Sequence, residues 1–115
     1  MIFLNSHMIS PYKAMWLVVA FDLPTLTKED RRRANNFRTD LIKLGFIRLQ
    51  LSLYYYYSTT KEKAEYLSHN IKSLTPKKGH VVVMFLTDRQ FGMTKNYFGG
   101  IKNKLEPPEL GLLFE

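Results

Sequence analysis

A chain of 115 residues, 45% hydrophobic and 14% aromatic, has enough apolar side chain for one compact core and too little length for two. Seventeen Lys and Arg against ten Asp and Glu leave a formal charge of +7, which points to polyanionic partners, nucleic acid first and an acidic membrane surface second. The absence of cysteine excludes disulfides and thiolate metal sites, and no apolar run approaches the roughly 18 residues that span a bilayer, so a cytoplasmic protein with no membrane partner is expected.

Residues 1–14 carry Pro11 and no clear period, and Met8 and Met15 each read as a candidate start. The stretch is expected to be an extension outside the domain, and it lacks the basic start of a signal peptide. From Met15 the pattern sharpens. Residues 15–21 (MWLVVAF) are apolar on both faces, as in a central strand covered on both sides, and Pro24 forbids continuation beyond Asp22-Leu23. Thr27 begins a helix with Asp30 in capping-box position; Ala34, Phe37, Leu41 and Leu44 give it one buried face, and Gly45 ends it.

Residues 46–57 (FIRLQLSLYYYY) alternate, with Ile47, Leu49, Leu51 and Leu53 on one side and Phe46, Arg48, Gln50 and Ser52 on the other. No Gly or Pro marks a turn, so period alone allows one long strand. Thr59 or Thr60 opens a second helix running to about Leu74, with Ala64, Leu67, Ile71 and Leu74 inward. After the turn at Pro76-Lys77-Lys78-Gly79, residues 81–86 (VVVMFL) form another wholly apolar strand, Thr87-Asp88-Arg89-Gln90-Phe91 follows it, and residues 96–100 offer a short last strand. With a hairpin in the middle segment the order is βαββαβ, an α+β ferredoxin-like sandwich over residues 15–100. Helices then cover one face of the sheet. Strands apolar on both sides call for a partner on the other face or edge, and a homodimer is the simplest.

Asp22 stands where a buried strand emerges before a Pro-bounded loop, held rigidly yet within reach of solvent, as a Mg²⁺ ligand should be. One carboxylate makes a poor site, and two copies across a dimer axis make a better one. The alternative is an Asp whose side chain accepts backbone N–H bonds in the following turn. On the first helix Lys28, Arg32 and Lys43 lie opposite the apolar stripe, with Arg31, Arg33 and Arg38 flanking it. That ridge suits the phosphates of a duplex, or else is simply a solvated face. Arg48 and Ser52 share one side of the middle segment and are functional candidates. Tyr54, Tyr55, Tyr56 and Tyr57 fit packing, two facing each way, better than base stacking. His7, His69 and His80 are scattered and read as structural or exposed.

Four segments in this order, Val18-Val19-Ala20-Phe21-Asp22-Leu23-Pro24, Phe37-Arg38, Gly45-Phe46-Ile47-Arg48-Leu49-Gln50-Leu51-Ser52-Leu53-Tyr54 and Leu86-Thr87-Asp88-Arg89-Gln90-Phe91, resemble the family of CRISPR-associated protein two, the small subunit of the spacer-acquisition machinery, in its type II form. The resemblance runs from about Met15 to about Gly100. It implies a hairpin at residues 50–52 and a homodimer in which the last short strand joins the other protomer's sheet. The tail, residues 101–115, would pack there too. It places the family's acid on Asp22, as metal ligand and catalytic residue, two copies binding one Mg²⁺ near the dimer axis. It implies bridging of integrase subunits and binding of a double-stranded DNA prespacer, or RNA, through Lys28, Arg31, Arg32, Arg38, Lys43 and Arg48. Metal-dependent endonuclease activity accompanies some members. The chain departs from the family at residues 54–57, where many relatives carry an Arg or acidic residue. The rival expectations are a stand-alone metal-dependent ribonuclease of the same fold, toxin-like in action, and a single-stranded RNA binder using the sheet face.

Overall fold

The computed structural model describes residues 14–99. Its elements are β1 (Met15–Asp22), α1 (Lys28–Lys43), β2 (Ile47–Gln50), β3 (Leu53–Ser58), α2 (Lys61–Leu74), β4 (His80–Leu86) and a short α3 (Asp88–Gly92). The strands form one antiparallel sheet in the order β2-β3-β1-β4. Two helices crossing between split strand pairs make this the ferredoxin-like fold.

Local chemistry fixes the helix ends. Thr27 and Asp30 form a reciprocal capping box, Asp30 N–H donating to Thr27 Oγ1 at 2.9 Å and Thr27 N–H to Asp30 Oδ2 at 3.3 Å. At the other end Gly45 has φ +102°, the Gly45 N–H donates to the Ile42 carbonyl (2.9 Å) and the Phe46 N–H to that of Leu41 (3.0 Å), a complete Schellman stop. Phe46 thereby enters the core as the chain reverses.

Strand parity sorts the rest. Leu17, Val19 and Phe21 of β1 and Tyr54 of β3 pack under Phe37 and Leu41 of α1 and Ala64, Leu67 and Ile71 of α2. Leu74, expected inward, is the last residue of α2 and more than a third exposed. The opposite face carries Trp16, Val18, Leu49, Leu53, Tyr55 and Leu86 around Phe91 of α3. Phe91 stacks on Trp16 (4.1 Å between centroids, 9° between planes), and Trp16 Nε1 donates to Asp88 Oδ1 at 2.7 Å. α3, not among the elements expected from the sequence, starts on a capping box of its own between Thr87 and Gln90.

The single chain bears on three of the expectations. Residues 94–99 form no strand within the single chain, and their expected pairing is with the sheet of a second protomer; residue 100 lies outside the described residues. β4 is not covered on both sides. It is an edge strand, and Met84 and Phe85 remain about two-fifths exposed. The middle segment is a hairpin turning at Leu51-Ser52, as the family resemblance implies and period alone could not show. The expectations for residues 1–14, Ala14 apart, and 101–115 lie outside the described residues. No helix among the described residues is long and apolar enough to cross a membrane.

Candidate cation and phosphate site

Asp22 is the last residue of β1, exposed, on the face away from the two long helices. β1 alternates up to that point, so the burial of Leu17, Val19 and Phe21 against the helices commits Asp22 to the other side. There it lines an open concavity of about 320 Å³ with Gln50, Ser52 and His80 at its polar edge and Ala20, Leu53 and Val82 along its floor. Its side chain accepts no hydrogen bond and makes no ion pair among the described residues, which sets aside the turn-capping alternative.

The surroundings hold this carboxylate's backbone in place. Phe21 N–H donates to the Ser52 carbonyl at 3.1 Å, tying β1 to the hairpin turn. Gly79, with φ +105°, lies so close that a Cβ there would fall 2.8 Å from the Asp22 carbonyl oxygen and 2.7 Å from Leu23 Cδ2. Only glycine permits that approach. The β1–β4 ladder ends on the pair Asp22↔His80. His80, read from sequence as structural or merely exposed, is thus brought beside the key acid. No spacing rule could have found it, since 58 residues separate the two positions and only the register joins them.

The six predicted phosphate ligands divide into two groups. Arg31 Nη1 donates to the carbonyls of Thr25 (3.0 Å) and Leu26 (3.2 Å), closing the loop that follows Asp22. Arg38 Nε donates to the Leu51 carbonyl at 2.9 Å and Nη1 to Asn35 at 3.0 Å, while its guanidinium lies 5.6 Å over the Phe21 ring. This arginine positions the hairpin turn. Arg32 pairs with Glu29, and that hydrogen bond holds the Glu29 carboxyl below its usual range and the guanidinium above its own. Arg33 adds contacts to Glu29 (3.5 Å) and Asp30 (3.6 Å). Lys28, Lys43 and Arg48 make no hydrogen bond or ion pair among the described residues. Lys28 and Lys43 stand at opposite ends of a 16-residue helix, about 22 Å apart at 1.5 Å per residue. They are separate contact points rather than one ridge.

Arg48 does not share a face with Ser52. A bulge between Arg48 and Gln50 resets parity: Arg48 pairs with Tyr54, on the helix side, whereas Gln50 pairs with Leu53 and joins Ser52 in the concavity. The tyrosines split two and two as expected, Tyr54 and Tyr56 inward and Tyr55 and Tyr57 outward; of the outward pair Tyr55 is buried, and Tyr57, 44% exposed, packs against Trp16 with 4.7 Å between centroids.

The donors at the concavity suit a hard cation. A carboxylate, an amide oxygen and a hydroxyl are the oxygens that Mg²⁺ accepts alongside its retained waters. Among the described residues no group of three or more His, Asp or Glu side chains that could hold a metal ion gathers.

The family model for CRISPR associated protein Cas2 matches residues 15–94. The CRISPR-associated endoribonuclease Cas2 of Flavobacterium psychrophilum is 37% identical over 91 residues, 79% of this chain and 79% of that protein. The protein of the same name from Paracidovorax avenae is 34% identical over 92 residues, 80% of this chain and 85% of its own length. A third, from Ligilactobacillus salivarius, is 40% identical over 77 residues, 67% of this chain and 76% of its own.

Proposed function

The chain belongs to the Cas2 family of CRISPR-associated proteins, and from that membership we propose that it serves CRISPR adaptation as a homodimer bridging integrase subunits and holding a prespacer duplex, with Mg²⁺-dependent cleavage at Asp22 as a secondary activity. The observation that carries this reading is the position of Asp22 on the half-open face of the sheet, beside the bare edge strand β4. Val82 and Met84 of β4 leave apolar surface there. A second copy seated on it covers that surface and brings a second Asp22 toward the first.

Asp22 would hold the Mg²⁺ ion, which would supply charge neutralisation at the phosphate and ease deprotonation of the water that attacks phosphorus. The chain's own residues bind and orient. Lys28 and Lys43, with Arg48 at the sheet edge, offer unpaired charge to well-separated phosphates along a duplex. Arg38 and Gly79 fix the two backbones that border the concavity, so that Asp22 stays at its mouth.

The test joins sedimentation with duplex binding across a salt series. A dimer whose binding weakens steeply with salt is expected, with Asp22→Ala losing cleavage while keeping both. A monomer with salt-insensitive binding defeats the reading, and cleavage surviving Asp22→Ala removes that residue from the chemistry. The relatives' names favour a second reading, a stand-alone metal-dependent ribonuclease. Recovery of the integrase subunit with the purified protein argues for the first, and RNA degradation without such a partner for the second.

A further inference from the structure

We propose that His80 is a second protein ligand of the cation site built on Asp22 and sets which divalent ion that site prefers. The proposal rests on reading Asp22 as a metal ligand. Residues directly opposed in an antiparallel ladder carry their side chains on one side with Cβ atoms about 5 Å apart, and Asp22↔His80 is such a pair, the last of the β1–β4 ladder. Both are exposed and both line the same concavity, where they are the titratable members of the lining. Neither side chain has a hydrogen bond or ion pair to the protein among the described residues, so both keep their lone pairs for a third party.

A carboxylate oxygen and an imidazole nitrogen each ligate a first-row ion at about 2.1 Å. Arms rooted about 5 Å apart on one face can therefore converge on a single ion. Gln50 and Ser52 add neutral oxygens at the same rim. The donor set is then mixed. Oxygen alone is what Mg²⁺ selects, whereas imidazole favours the later divalent ions, whose affinity for nitrogen sites climbs along the series from manganese to copper. His80 shifts the preference of this chain's site from Mg²⁺ toward ions such as Co²⁺.

Titration of the full-length protein with Co²⁺, followed by its visible absorption, and with Mg²⁺, followed by calorimetry, tests the assignment. His80→Ala is expected to weaken Co²⁺ at least tenfold, since losing even an outer-shell partner of a metal ligand costs about 10–100-fold, and to change Mg²⁺ by less than about twofold. An equal fall for both ions marks a merely structural residue and overturns the proposal, as does unchanged Co²⁺ affinity. Asp22→Asn separates the two readings: if it retains both ions, the Asp22 site itself is wrong. If it loses them while His80→Ala binds Co²⁺ as before, only the His80 assignment fails.

Discussion

The two faces of one sheet are built from the same strands, yet they meet opposite fates. On the helix side Leu17, Val19, Phe37, Leu41 and Ile71 are 1% exposed or less. On the other side Phe91 and Trp16 close one end, while the end bearing Asp22, His80 and Val82 stays open. Burial beneath two long helices is what folds the chain. The half-covered face, relieved of that duty, is where an acid can be held on a rigid strand without a partner of its own. The difference teaches that one strand, β1, buries alternate residues beneath the helices and still ends on an exposed acid, Asp22.

The largest expected effect tests the division itself. Phe37→Ala empties a fully enclosed site and should cost about 4 kcal/mol in urea denaturation, whereas Met84→Ala on the open face should cost under about 1 kcal/mol at high dilution. Equal losses would break the comparison. A Met84→Ala cost that grows with protein concentration would sharpen it, by showing the open face covered by a second copy. Next in size is Gly79→Ala, expected to destabilise by about 1–3 kcal/mol, because a Cβ meets the Asp22 and Leu23 backbone and φ is positive. Unaltered stability would show that the border of the concavity yields easily.

The smallest effect lies at the start of α1. Burial pushes the Asp30 carboxyl up, but the Thr27 N–H and hydroxyl with the charges of Lys78 and Arg33 outweigh it, so it titrates below the ordinary aspartate value of 3.8. A depressed carboxyl stabilises the folded state fully above that ordinary value and loses the contribution as pH falls through the lower folded one. Asp30→Asn should therefore flatten the acid limb of a urea-midpoint profile below about pH 4 while leaving Co²⁺ titration at the open face alone. An acid limb of unchanged slope would remove Asp30 from the account.

Much of the fold was legible because it is local. Thr27 with Asp30, Gly45 after Leu44, the spacing of Ala34, Phe37 and Leu41, and Pro24 after Asp22 each act within a few residues, and each does what its chemistry dictates. The exposed position of Asp22 followed from the same rules. The partition of the cations did not: Arg38 turned out to fasten the Leu51 carbonyl, because that turn lies beside α1 only once the sheet has formed.

By itself, then, the sequence determined β1, β4 and the two long helices in their order, the N-cap and C-terminal stop of α1 and the acid at the end of β1, since periodicity and capping depend on neighbours along the chain. Tertiary structure alone decided that His80 faces Asp22, that a bulge separates Arg48 from Ser52, and that β4 lies at an edge. Those are matters of register. One extra residue in a strand reverses every side chain beyond it, and only packing against distant segments selects which alignment survives.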